Sequence, residues 1–209
     1  MDTTGDRQLL AVIGEALEGS ARRAGSRLAC RRGCTECCIG PFPINVLDAR
    51  RLREGLKELS RRDADRAARV IERARLNVEA MTPDFPGDAE RGLFVADEAA
   101  EEAFCARWAA EPCPALDPET GACDLYDWRP LSCRTYGPPV RIGGEDLPPC
   151  RLCFVGASAA EVEACRVEID PGGMEDEILT HMEAEGAPRP QTAVAFALAR
   201  DWGTPPSEA

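Results

Sequence analysis

Aromatic residues, histidine and long apolar runs are all scarce in this chain of 209 residues. Aromatic side chains make up only 5 % of the sequence, so alanine and aliphatic side chains must form most of the core. A Ser-His-Asp or Cys-His catalytic system would have to use the single histidine, His181. No stretch approaches the roughly 18 apolar residues of a membrane span, and neither a P-loop nor a dinucleotide fingerprint is present.

Basic residues are also in the minority, with 25 Lys and Arg against 37 Asp and Glu, for a net charge of -12. Such a chain should repel phosphate backbones and anionic membranes, so we expect neither nucleic acid nor membrane as a partner, and no protein partner is indicated. The N-terminal segment lacks a sustained apolar region, so a cytoplasmic location is expected. Five arginines lie near the first cysteines, where they could offset thiolate charge or form a solvated helix face. They are Arg22, Arg23, Arg27, Arg31 and Arg32.

Cysteine is abundant, with eleven residues. Stable disulfides are uncommon in a reducing compartment, where a cysteine-rich sequence more often binds metal or performs catalysis. The odd count would leave one thiol outside a closed disulfide framework. Cys105 and Cys165 stand alone in sequence and suit buried small hydrophobic residues, whereas the others cluster.

The first cluster reads CRRGCTECC and contains Cys30, Cys34, Cys37 and Cys38. On a helix these positions fall within a stripe of roughly 100°, although Gly33 makes a turn followed by a helix equally compatible. Either conformation brings the sulfurs together. Soft sulfur ligands at this density suit zinc or iron rather than magnesium or calcium, so the motif predicts a metal site.

Two further segments carry cysteines. Cys113, Cys123 and Cys133 lie ten residues apart in a stretch rich in proline and glycine, which predicts an irregular loop shaped by ligation. Cys150 and Cys153 then form a C-x-x-C pair, a spacing suited to chelation or redox chemistry.

Together these motifs resemble the YkgJ-type cysteine-cluster family, a zinc- or iron-chelating domain. The matching features are the opening cluster that ends in Cys37-Cys38, then Cys113-Pro114, Cys123 with Tyr126, and Arg129-Pro130 with Cys133-Arg134. The resemblance covers about residues 28–155 and implies a set of eight metal ligands. These are Cys30, Cys34, Cys37, Cys38, Cys113, Cys123, Cys133 and Cys150. Arg129 and Arg134 could balance the charge of such a cluster.

We therefore expect a metal-binding protein rather than an enzyme, holding zinc or iron, in one or several ions, for structure, storage or delivery. One alternative is an iron–sulfur enzyme that modifies a protein side chain, since a flagellin lysine methylase carries a related cluster. Cys30, Cys34 and Cys37 also have the spacing of radical S-adenosylmethionine enzymes, but no alternating strand–helix pattern surrounds them. A second alternative is a thiol redox sensor based on the neighbouring cysteines.

The periodicity of the chain predicts a mainly α-helical fold, a small helical domain with an irregular cysteine-rich, metal-bound loop region. Residues 1–209 are expected to form a single domain with a cysteine-cluster core at about 28–155. Helices are predicted at 6–24 and 97–110, as a hairpin at about 44–81 with Ser60 as a cap, and near the C-terminus at about 174–201. Gly143-Gly144 could turn one short β-hairpin.

Overall fold

The computed structural model describes residues 3–187 and 190–200, which form a mainly α-helical fold with short strands, as predicted. The helices are α1 (Thr3–Ala24), α2 (Val46–Arg62), α3 (Ala64–Met81), α4 (Glu98–Arg107), α5 (Leu131–Thr135), α6 (Ala159–Glu163), α7 (Met174–Ala184) and α8 (Val194–Ala199). The strands are β1 (Pro43–Ile44), β2 (Gly87–Asp88), β3 (Leu93–Phe94), β4 (Val140–Ile142), β5 (Glu145–Leu147), β6 (Val167–Ile169) and β7 (Thr192–Ala193). No helix among the described residues is long and apolar enough to cross a membrane.

The chain divides into two compact units. Unit 1 comprises Met1–Arg31 and Ser132–Met182, and unit 2 comprises Arg32–Leu131 and Glu183–Ala209. The expectation that residues 1–209 form a single domain stays a prediction. Of the predicted C-terminal helical segment, residues 188–189 and 201 lie outside the described residues.

Helices α2 and α3 of unit 2 each begin at a side-chain cap. The Asn45 side chain accepts a hydrogen bond from the Asp48 amide at 2.9 Å, and the Asp63 side chain accepts one from the Arg66 amide at 3.0 Å. Both caps satisfy amide groups that have no partner within the first helical turn. The prediction of Ser60 as a cap was wrong, because Ser60 continues α2 and the chain leaves helical geometry only at Asp63.

The core of unit 2 forms where α2 and α3 pack against α8. Val70 and Ala74 of α3 are fully buried, as is Ala197 of α8. Strand β1 pairs antiparallel with β7 directly before α8 and so joins the start of α2 to the last helix. The hairpin predicted at 44–81 therefore has a buried face in addition to its charged, solvated one.

Aromatic residues are concentrated at one end of this core. The ring centroid of Phe85 lies 4.7 Å from that of Phe94 and 4.3 Å from that of Phe196. Gly92 permits this packing, because its φ of +68° is a left-handed conformation and a Cβ there would lie 2.7 Å from Phe196 Cβ. At this end of the core, aromatic rings thus provide the packing that aliphatic side chains provide in the rest of it.

Unit 1 packs α1 against a three-stranded sheet with the strand order β5-β4-β6. Strands β4 and β5 are antiparallel and join through Gly143-Gly144, whose φ values of +58° and +85° suit a tight hairpin turn. The predicted β-hairpin is therefore present. Strand β6 runs parallel to β4, and the Ser20 hydroxyl of α1 donates to the Cys165 carbonyl just before β6.

Candidate metal centre

The first cysteine motif is a turn followed by a short helix. Residues 32–33 form the turn, in which Gly33 has a φ of +88° that favours glycine. One turn of 3-10 helix, Glu36–Cys38, follows it. The continuous α-helix that the spacing also allowed does not form, because the positive φ of Gly33 is incompatible with a right-handed helix at that position.

The two units share the eight predicted ligands. Unit 2 contains Cys34, Cys37, Cys38, Cys113 and Cys123, and unit 1 contains Cys30, Cys133 and Cys150. None of the eleven cysteines is joined to another in a disulfide in the structure.

Four of the unit 2 thiols, Cys37, Cys38, Cys113 and Cys123, lie close together, and we call them the thiol cluster. The side chains of Cys37 and Cys38 are hydrogen-bonded to each other. The Cys113 amide donates to the Cys38 carbonyl at 2.8 Å, which places Cys113 beside this neighbouring pair. Cys34 precedes the cluster and is half-buried.

The segment between Cys113 and Cys123, which we call the cysteine loop, folds back on itself. Leu116 and Cys123 form an isolated antiparallel bridge, and the Asp124 amide donates to the Ala115 carbonyl at 2.7 Å. The Asp117 side chain accepts from the Thr120 hydroxyl at 2.7 Å and tightens the turn. Two cysteines ten residues apart therefore meet at the base of one hairpin-like loop.

Burial and mutual proximity raise the pKa of three of these thiols, those of Cys37, Cys113 and Cys123. Burial raises the pKa of Cys113 from 9.0 to about 12, and the charges of Cys123 and Cys37 add to the rise. Burial also raises the pKa of Cys123. The pKa of Cys37 is raised by the hydrogen bond with Cys38, by burial and by the charge of Cys38. Thiolates at these positions consequently require a cation nearby.

One cation in unit 2 already acts on the cluster. The charge of Arg129 lowers the pKa of both Cys37 and Cys123, although the opposing contributions prevail. Its guanidinium lies 3.6 Å from the ring centroid of Tyr126, and that of Arg32 lies 4.8 Å from the same centroid. Tyr126 thus packs against two arginines, and the charge-balancing role of Arg129 stays a prediction.

The cysteine loop is also held by polar side chains of α3 that sequence reasoning did not single out. Arg73 donates to the Pro114 carbonyl at 2.8 Å and to the Asp124 carboxylate at 2.6 Å, and Arg66 donates to the other oxygen of that carboxylate. Asn77 donates to the Pro112 carbonyl at 2.9 Å. The sequence feature that could have identified these three residues was their regular spacing on α3. The polar residues of an ordinary solvated helix face show the same spacing.

Unit 1 gathers a second set of cysteines around an apolar core. Cys150, Cys153 and Cys165 are buried together with Phe154, and Cys30 packs against the same cluster. The Cys153 amide donates to the Cys150 carbonyl at 2.7 Å, so the C-x-x-C pair forms a tight turn. Cys165 is a buried member of this apolar cluster, as the expectation of a small hydrophobic residue implies, although it stands alone in sequence.

The remaining two cysteines, Cys105 and Cys133, belong to different units. Cys105 of unit 2 packs against the buried cluster that contains Phe85, Phe94 and Phe196, as the expectation of a small hydrophobic residue implies. Burial raises the pKa of its thiol. Cys133 of unit 1 is half-buried in α5, one turn after Pro130 ends the preceding loop.

The chemistry of the donor set fits zinc or iron. The thiol cluster offers several reduced sulfur donors within one unit, and sulfur is the ligand that zinc and iron–sulfur sites use. Over residues 3–187 and 190–200, no three His, Cys, Asp or Glu side chains are already arranged as ligands around one point. The fold brings the four thiols of the cluster near one another, and metal binding would require their sulfurs to converge further.

Reduced cysteines concentrated in this way define a cysteine-cluster protein. Residues 29–151 match the family model CxxCxxCC, described as "Putative zinc- or iron-chelating domain". This match spans more than half of the 209 residues, and the chain belongs to that family, as its motifs indicated. No curated protein and no solved structure was found to match the chain.

Proposed function

We propose that this protein binds zinc or iron through cysteine thiolates, and that the bound metal holds the cysteine loop in place. The observation that carries the proposal is the thiol cluster, in which four reduced sulfurs from two distant segments meet within unit 2. Cys37, Cys38, Cys113 and Cys123 would hold the metal. A bound zinc ion would supply a cross-link between the 36–38 helix and the cysteine loop.

Electrostatics supports this role. Four thiolates around one divalent ion carry a net charge of about -2, which buried surroundings tolerate only with nearby cations. Arg129 is placed to meet that demand, since its charge acts on both Cys37 and Cys123. Cys34 in unit 2, and Cys30, Cys133 and Cys150 in unit 1, belong to the proposed set through the sequence pattern. We further propose a cytoplasmic, reducing location, where these thiols stay free.

The direct test is elemental analysis of the protein purified without oxygen, together with its absorption spectrum. We expect stoichiometric zinc or iron in the wild type. Zinc gives a colourless protein, whereas an iron–sulfur cluster gives thiolate-to-iron absorption in the visible region and would favour the alternative of an iron–sulfur enzyme.

A matched pair of variants locates the site. Cys113→Ser removes a donor of the thiol cluster, and Cys105→Ser changes another half-buried cysteine of unit 2 outside it. We expect metal content to fall in Cys113→Ser and to match the wild type in Cys105→Ser. Wild-type protein that remains metal-free after reconstitution with zinc or ferrous iron would contradict the proposal.

A further inference from the structure

Helix α3 presents three polar side chains in one line. Arg66, Arg73 and Asn77 lie seven and then four residues apart, which places them within a stripe of roughly 40° on the helix surface. All three point at the same neighbour, the segment from Pro112 to Asp124. The exposed ion pairs of Arg75 with Glu72 and Glu79 involve none of these groups.

Their acceptors flank the two cysteines of the cysteine loop. Asn77 binds the carbonyl before Cys113, and Arg73 binds the carbonyl after it. Asp124, the residue directly after Cys123, receives both Arg73 and Arg66. Arg73 therefore joins the beginning and the end of the loop through one guanidinium group, which a planar, multiple donor can do and a single point charge cannot.

Because Asp124 is buried, its carboxylate depends on these contacts. Its side chain is only 2 % exposed, and a carboxylate so placed needs charged partners. Buried ion pairs contribute little net stability compared with apolar packing, but they specify one arrangement of the chain. Here the arrangement that they specify is the position of the backbone on either side of both loop cysteines.

The same contacts also balance the negative charge of Asp124 near the thiol cluster. Asp124 directly follows Cys123, so its buried carboxylate is a negative charge next to that cysteine. Two arginines on that carboxylate offset its charge. A metal-bound thiolate at Cys123 then has a neutralised neighbour instead of a bare anion.

We propose that Arg66, Arg73 and Asn77 are positioning residues of the metal centre, which set the placement of Cys113 and Cys123 before the metal arrives. This inference rests on the proposed metal-binding function. It assigns to α3 a role in metal affinity and in the geometry of the bound ion, through the loop backbone and Asp124.

The test compares Arg73→Gln with Arg75→Gln, which makes the same change of charge on the same helix away from the loop. Binding is measured by titration of the full-length protein with Co²⁺ as a spectroscopic probe and by competition with Zn²⁺. We expect Arg73→Gln to lower the affinity for zinc by about 10- to 100-fold and to alter the cobalt–thiolate spectrum. Arg75→Gln should bind within about twofold of the wild type with an unchanged spectrum.

Two further variants separate positioning from general stability. Arg73→Lys keeps the charge but reaches only one acceptor, so positioning predicts an affinity below the wild type and an altered spectrum. Asn77→Ala removes one hydrogen bond and replaces Arg73→Gln in the test if that variant does not fold. It should show a smaller loss of zinc affinity and a smaller change in the cobalt–thiolate spectrum. Thermal unfolding of each metal-free variant gives the accompanying loss of stability.

Equal affinities and spectra for Arg73→Gln and Arg75→Gln would overturn the inference. So would a loss of affinity with an unchanged cobalt spectrum that merely follows the loss of metal-free stability, because a purely structural role predicts that result. Wild-type protein that takes up neither Co²⁺ nor Zn²⁺ refutes the proposed function itself, and it is recognised without any variant.

Discussion

Metal uptake by the thiol cluster should depend steeply on pH, because the protein holds its thiols in the protonated form. The hydrogen bond with Cys38, followed by burial, raises the pKa of Cys37. Burial raises the pKa of Cys113 to about 12 and also raises that of Cys123. These three thiols are therefore protonated at neutral pH, and a metal that binds the thiolates of the cluster must displace at least three protons.

The sign and size of the effect follow directly. Lowering the pH raises the proton concentration and favours the free thiols, so metal affinity should fall. With at least three protons displaced, the apparent binding constant should change by at least about 1000-fold per pH unit between about pH 6 and 8. At Cys113 alone, the shift from 9.0 to about 12 opposes thiolate formation by about 4 kcal/mol, which the metal–sulfur bond must exceed.

Isothermal calorimetry in buffers of different ionisation enthalpy measures the protons released per zinc bound. We expect at least three for the wild type and about one fewer for Cys113→Ser, whereas Cys105→Ser should release as many as the wild type. Release of fewer than about one proton would show that the cluster thiols are already ionised or do not bind the metal, and would refute this reasoning.

Other consequences can be measured independently. Gly55→Ala should destabilise the protein by about 1–3 kcal/mol in thermal or denaturant unfolding, because a Cβ at position 55 would overlap Trp128. Gly14→Ala, on a helix surface with no atom near the new Cβ, should be neutral or stabilising by up to about 1 kcal/mol; equal effects of the two changes would contradict the packing. Removal of bound metal by a chelator should lower the melting temperature and speed amide hydrogen exchange in the cysteine loop, and unchanged exchange after verified removal would argue against a structural metal. Cys37→Ser should speed exchange in the same loop, whereas Cys105→Ser should not.

Much of the secondary structure follows from local sequence. The hairpin at Gly143-Gly144 could be anticipated because consecutive glycines suit left-handed turn positions, and the helix of residues 3–24 because its apolar residues recur with helical periodicity. The cap before α3 was misplaced by three residues, from Asp63 to Ser60, because a charged run continued α2 further than expected. Helix ends depend on small energy differences that neighbouring packing can reverse.

The candidate site was only partly accessible to the same reasoning. Cysteine spacing and the family resemblance pointed to Cys37, Cys113 and Cys123 as ligands, and the fold brings these three residues into one cluster; that they bind metal stays a prediction. The contacts of Arg73 with Asp124 join residues 51 positions apart, and nothing in the local pattern of α3 distinguishes Arg73 from the solvated arginines around it. The clustering of Cys165 with Cys150 likewise exists only once α1 and β6 are packed.

The way the cysteine loop closes has a consequence for recognising distant relatives. Cys113 and Cys123 meet because the backbone pairs Leu116 with Cys123 and turns back in between, so the number of residues in the turn does not set the distance between the sulfurs. Insertions or deletions at the tip, around Thr120, should be tolerated, because surface turns accept changes in length at little cost. A relative could therefore differ in the interval between these two cysteines and still place them identically. The vicinal Cys37-Cys38 pair, the proline after the first loop cysteine and the acidic residue after the second would be better guides than spacing.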